Sequence, residues 1–239
     1  MGSGRPQASF WEGDGGRMSE EQAQAGTMGS ARSLAEEITS AAIQGVAALA
    51  SVAGLAFLLA RAGPGGAALT GVIVYGVSLI VAFLASALYH GIGHRRLKRI
   101  FRAVDHCTIF ILIAGTYTPI ALLALWRHEG WLLLAAIWTL ALMGAGLRLV
   151  QGPRFHRIAI PLYLAMGWLS LAWARTLYET LGVAPLLLFA AGGLAYTGGL
   201  LFYRAKTMPF SNPLWHICVV AGSACFYAGI ALYVVPSAT

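Results

Sequence analysis

Seven stretches of predominantly apolar residues follow one another along this chain, at about 40–61, 67–90, 105–126, 130–149, 156–175, 183–203 and 213–235. Each approaches the roughly 20 residues that a helix needs to cross a hydrocarbon core. Lipid offers no partner to a backbone amide, so only helices and closed barrels span it. Runs of this length without two-residue alternation exclude the barrel. The sequence therefore predicts an all-α fold: an integral membrane bundle of seven transmembrane helices spanning 34–239. The breaks carry Gly, Pro or charge, as in Gly63-Pro64-Gly65-Gly66 and the basic run from His94 to Arg102.

Charge supports the same architecture. Charged residues make up 10% of the chain, against about a quarter in soluble domains. After Glu37 the only carboxylates are Asp105, Glu129 and Glu179, too few to cover a water-facing surface. Residues 1–33 form a polar tail rich in Gly, Ser, Gln and Ala, read as disordered and without an apolar signal segment. Ser33 with Glu36 resembles a capping box that opens the first helix.

A net charge of +7 would also suit a nucleic-acid partner, but the basic residues fall between apolar runs without aromatic interleaving. Topology accounts for them. With the N-terminus on one side, that side collects 13 of the 16 basic residues, and Arg61, Arg127 and Arg175 fall on the other. Positive-inside bias then predicts a cytoplasmic N-terminus, an external C-terminus and a place in the inner cell membrane, with the lipid bilayer as partner. Cys107, Cys218 and Cys225 form no paired motif and read as small apolar side chains.

Ionisable groups at membrane depth are costly and tend to mark function. Three segments carry them: Ser86-Ala-Leu-Tyr89-His90 closing span 2, Asp105-His106 opening span 3, and Ser211-Asn212-Pro213-Leu-Trp215-His216 opening span 7. Topology sets all three at one depth. Ser86 and His90, four apart, share a helix face. Two imidazoles and a carboxylate (His90, His216, Asp105) suit Zn2+, whose catalytic sites keep one position for water and lower its pKa. Taken singly, each residue is explained as well by interfacial capping, with Asp105 paired to Arg102 or capping span 3. His94 and His156 read as solvated loop residues. Pro119 is expected to kink span 3, with Thr116 and Thr118 bonding nearby carbonyls.

These segments, together with Asp105-His106-Cys-Thr-Ile-Phe-Ile-Leu-Ile-Ala-Gly-Thr-Tyr-Thr-Pro119, Glu36-Glu37-Ile38 and Gly192-Gly193-Leu-Ala-Tyr196-Thr-Gly198, are similar to the hemolysin III family. Those proteins are bacterial members of the adiponectin/progestin receptor group, more distantly related to alkaline ceramidases. The resemblance implies seven spans and a zinc ion near the cytoplasmic face. The His of Ser-x-x-x-His and two His of span 7 would be its ligands, with Asp105 and Ser86 on the bound water. One ligand is replaced: relatives have His-x-x-x-His where this chain has Asn212 and His216. Asn212 precedes Pro213 and reads as the N-cap of span 7, off the face of His216. Gln44 and Cys225 likewise stand where relatives carry His. Asp105 as third ligand, His106 or water in the gap, and a metal-free site are the three outcomes.

The function expected from these residues is zinc-dependent hydrolysis of a lipid amide or ester, with Asp105 moving protons and Ser86 bonding the water or oxyanion. A non-enzymatic receptor-like or membrane-homeostasis protein with a structural or degenerate metal site is the alternative. A cytolysin, suggested by the family name, has less behind it: the sequence shows neither barrel alternation nor a detachable amphipathic helix.

Overall fold

The computed structural model describes the backbone of residues 14–151, 155–205 and 207–235, and side chains from residue 33 onward except those of His156 and Arg157. The segments 1–13, 152–154 and 236–239 lie outside the described residues, as does the His156 side chain read above as solvated. The described residues form eight α-helices in order: α1 (Asp14–Arg61), α2 (Gly66–Gly91), α3 (Arg95–Pro119), α4 (Gly130–Gln151), α5 (His156–Gly167), α6 (Ala174–Leu181), α7 (Val183–Arg204) and α8 (Ser211–Gly229). Among the described residues, seven helical segments are long and apolar enough to span a membrane; α5, a 3-10 stretch at Leu169–Trp173 and α6 together make the fifth.

Consecutive spans run antiparallel. The start of α2 meets the end of α3, with Gly71 against Pro119, and the end of α2 meets α1 at Glu37. The C-terminal half of α8 lies along that of α1, where Tyr227 donates to the Gly54 carbonyl at 2.9 Å. Apolar side chains such as Val46, Leu49 and Leu201 point outward and are two-thirds or more exposed. In water such a belt would drive aggregation; against acyl chains it is solvated.

Small residues set the helix spacing, as lipid-embedded packing requires. Of the paired glycines in the sequence, one member of two pairs carries the contact. Gly144 faces the Phe110 ring and Gly199 faces Cys218 and Trp215, whereas Gly146 and Gly198 have nothing within 4 Å.

Local structure departs from the sequence expectation in the basic run, at Asp105 and at the start of α1, whereas Thr116 and Thr118 bond nearby carbonyls beside Pro119 as expected. The basic run His94–Arg102 is helical from Arg95 onward and forms the first turns of α3. Lys and Arg are good helix formers whose heads reach water along their own stems. Asp105 therefore lies ten residues into α3, about 15 Å along its axis, and does not cap it. Residues 14–32 continue α1 as helix, and α1 runs through Ser33 without a break, so Ser33 and Glu36 form no capping box. The helix-favouring Ala, Glu and Gln of that stretch are consistent with this. At Pro119 the α-helix gives way to a π turn over Ile120–Ala124, while Thr116 and Thr118 bond the Leu112 and Ala114 carbonyls at 2.7 and 2.9 Å.

The break in the fifth span is held from α3. Tyr117 donates its hydroxyl hydrogen to the Gly167 carbonyl at 2.9 Å and accepts from the Ser170 amide at 3.0 Å. Tyr117→Phe leaves both backbone groups unpaired in an apolar setting. The expected cost is about 1 kcal/mol, read as a lower unfolding temperature in detergent.

Candidate functional site

The polar segments meet at one end of the bundle, between α1, α2, α3 and α8. His90 closes α2 and His216 sits in the second turn of α8; both are buried. Their Nε2 atoms are 3.0 Å apart, with the rings edge-on at 78°. Two side chains of α1, one on each outer flank, address the remaining nitrogens. Glu37 Oε2 lies 3.1 Å from His90 Nδ1 and receives a second bond from Lys98 Nζ at 2.7 Å. Gln44 Nε2 lies 2.5 Å from His216 Nδ1.

The tautomers follow from these partners. A carboxylate only accepts, so His90 carries its hydrogen on Nδ1 and presents a lone pair from Nε2. His216 then donates Nε2–H to that lone pair and accepts the Gln44 amide hydrogen on Nδ1. The result is a directed chain: Gln44 to His216 to His90 to Glu37, with Lys98 neutralising the carboxylate at its far end. One polar atom is left over. Gln44 Oε1 is buried without a hydrogen-bond partner among the described residues.

Asp105 enters the same chamber from α3. Its Oδ2 is 3.6 Å from His106 Nδ1. The Ser86 hydroxyl is a neighbour of the carboxyl, yet Ser86 Oγ makes no bond of good geometry and is buried. Among the described residues the Asp105 carboxylate contacts His106, and the pairing with Arg102, one of the alternatives left open by the sequence, is not formed. His106 donates to the Arg102 carbonyl at 2.7 Å, and its own carbonyl accepts from Tyr163 at 2.8 Å, so both groups are tied into the backbone framework.

Asn212 lies where the helical face of His216 continues. The helix begins at Ser211, and its N-cap is Phe210, held in the left-handed region at φ 56°. Asn212 is thus a first-turn residue and not the cap. Pro213 is tolerated because first-turn amides have no partner inside the helix. The Phe210 amide is instead satisfied from α1, by Glu36 Oε1 at 2.9 Å. Four residues apart, Asn212 and His216 share a face and line the same cavity, contrary to the sequence reading.

That cavity, of about 230 Å³, runs from the histidines into the bundle. Ser86, His90, Asp105 and His216 stand at one end; Ile109, Leu112, Ile113, Trp168, Val219 and Phe226 are among its apolar walls. Among the described residues, no three His, Cys, Asp or Glu side chains close on a single point. The histidine pair is assembled, and Asp105 lines the same cavity. In the sequence Glu37 stands out only as part of a family motif, and Gln44 only as a departure from it. The available signal was the polar stripe Glu37, Ser40, Gln44, Ser51, spaced by three, four and seven on an otherwise apolar helix.

A membrane bundle of seven spans with buried histidines facing an apolar chamber is the class that fold and site define. Residues 32–227 match the model of the family described as Haemolysin-III related. The chain is 38% identical over 206 residues to Hemolysin-3 of Bacillus cereus, covering 85% of this chain and 94% of that one. It is 37% identical over 202 residues to the Hemolysin-3 homolog of Bacillus subtilis (strain 168), covering 84% and 95%. The chain belongs to the haemolysin-III-related family.

Proposed function

We propose that this protein is a zinc-dependent hydrolase of amide or ester bonds in membrane lipids, set in the inner cell membrane with its N-terminus in the cytoplasm. The observation that carries the reading is the pair of buried imidazole nitrogens 3.0 Å apart, at the polar end of an apolar cavity that also holds a carboxylate and an unpartnered serine hydroxyl. The orientation rests on the 13-to-3 division of basic residues.

The residues present suit the metal. His90 is held by Glu37 in the tautomer that a ligand requires, a carboxylate–histidine pairing typical of zinc sites. His90 and His216 would hold the ion, with Asp105 completing the set through one carboxylate oxygen. When bound, zinc supplies Lewis acidity and a lowered pKa for water. The second oxygen of Asp105 takes a proton from the attacking water and passes it to the leaving amine or alcohol, so that one C–O bond forms as the acyl C–N or C–O bond breaks. Ser86 donates its hydroxyl hydrogen to the developing oxyanion. The apolar walls hold the acyl chain and keep bulk water out.

The test is turnover of N-acyl and O-acyl lipids by zinc-replete protein in bilayer discs. Ser86→Ala is expected to retain zinc and to lower kcat by about 10²-fold. Failure of the zinc-loaded wild type to cleave any such lipid would overturn the reading.

The closed chain from Gln44 to Glu37 favours one other reading, because it satisfies both histidines without an ion. The protein would then be a non-enzymatic membrane regulator whose metal, if bound, is structural. Chelation that lowers the unfolding temperature while no lipid is turned over would support it. The haemolytic activity in the relatives' names belongs to those proteins, and release of dye from vesicles by this chain would be its separate test.

A further inference from the structure

We infer that the Gln44 side-chain amide is a two-position latch that decides which nitrogen of His216 carries the hydrogen, and so whether the two facing Nε2 atoms share a hydrogen bond or a metal ion. The inference rests on the zinc reading above and concerns the regulation of that same site.

The two histidines are held differently. His90 faces a carboxylate, which accepts and cannot donate, so its hydrogen stays on Nδ1 whatever happens at Nε2. His216 faces an amide, which offers a donor at one end and an acceptor at the other. As the side chains stand, the nitrogen end points at His216 Nδ1, 2.5 Å away, and the oxygen end is buried with no partner among the described residues. In this position His216 must carry its hydrogen on Nε2, directed at His90, and the site is closed to a cation.

A half-turn of the amide exchanges its ends. Oε1 then accepts a hydrogen from His216 Nδ1, the amide nitrogen takes the buried position the oxygen held, and both Nε2 lone pairs face each other. Two lone pairs at this separation repel and need a cation between them. The hydrogen of His216 changes nitrogen without being gained or lost, so both histidines stay neutral in both states. Gln44 acts on the site through its bond to His216 and is a positioning residue. A glutamate here would only accept and a leucine would do neither, which sets the experiment.

The measurements are zinc affinity, by competition with a chromophoric chelator, and the histidine tautomers, from nitrogen-15 spectra of the full chain in bilayer discs with and without zinc. In the wild type, His216 is expected to move from the Nε2–H to the Nδ1–H form on zinc addition while His90 stays Nδ1–H. Gln44→Leu, close in volume, is expected to weaken zinc binding by about 10–100-fold. Gln44→Glu is expected to tighten it and to hold His216 as Nδ1–H even after chelation. Wild-type zinc binding without a tautomer change at His216, or equal affinity in all three proteins, overturns the latch and leaves the zinc reading standing. A wild type that takes up no zinc and keeps His216 in the Nε2–H form overturns both together.

Discussion

On the proposed zinc-hydrolase reading, replacing His216 by alanine is expected to reduce bound zinc from about one equivalent to background and to lower lipid amide turnover by more than about 10³-fold, since few other groups would hold the ion. The residue is buried and belongs to a hydrogen-bonded chain, so its loss also strands Gln44 and uncovers His90 Nε2. A drop in stability of about 1–3 kcal/mol should accompany the loss of metal. Two readouts separate these effects. Metal content by elemental analysis reports the ligand role, and unfolding of the chelated wild type against the chelated variant reports the network alone. His94→Ala, at the exposed N-cap of α3, is the matched control and should change neither. Zinc retained at one equivalent by His216→Ala would remove His216 from the ligand set.

The second large effect is structural. Gly115 of α3 packs against α2, where an added Cβ would collide with the Ser78 hydroxyl and lie 2.6 Å from its Cβ. The Ser78 side chain cannot swing away freely, because its hydroxyl is bonded to the Tyr75 carbonyl at 2.7 Å. Gly115→Ala must therefore push two spans apart, at an expected cost of about 2–3 kcal/mol. Because α2 carries Ser86 and His90 while α3 carries Asp105, the same displacement should lower the proposed hydrolase activity even where the variant still folds. Gly146→Ala, with nothing near the added atom, should leave unfolding temperature and activity unchanged. Equal stability of the two variants would show that the α2–α3 contact is looser than described.

The spans were legible because bilayer thickness dictates their length, and a soluble fold rarely needs an unbroken run of about 20 apolar residues. His90, Asp105 and His216 stood out because ionisable groups are rare in such runs. The rest was hidden for physical reasons. Glu37 and Gln44 act on histidines 53 and 172 positions away, and their polarity alone does not say which neighbour they meet. The depth of Asp105 was hidden because Arg and Lys signal loop and interface, yet they also sustain a helix whose end protrudes from lipid. Asn212 misleads because Asn before Pro is a good cap; the actual cap is a left-handed Phe210 whose amide is satisfied by Glu36, a bond only the tertiary fold creates. The break between α5 and α6 follows from Tyr117 bonding its backbone, again a contact between distant spans.

The polar stripe of α1 has a consequence for how the protein is made. Glu37 and Gln44 are synthesised well before His216, which follows Gln44 by 172 positions. Until α8 enters the membrane, the first helix must carry a glutamine at lipid depth with its designated partner not yet in existence, and Glu36 waits equally for the amide of Phe210. The first and last spans thus close the histidine site together. Chains stopped short of α8 should remain in an open, protease-sensitive form, because the site closes only when α8 has been added.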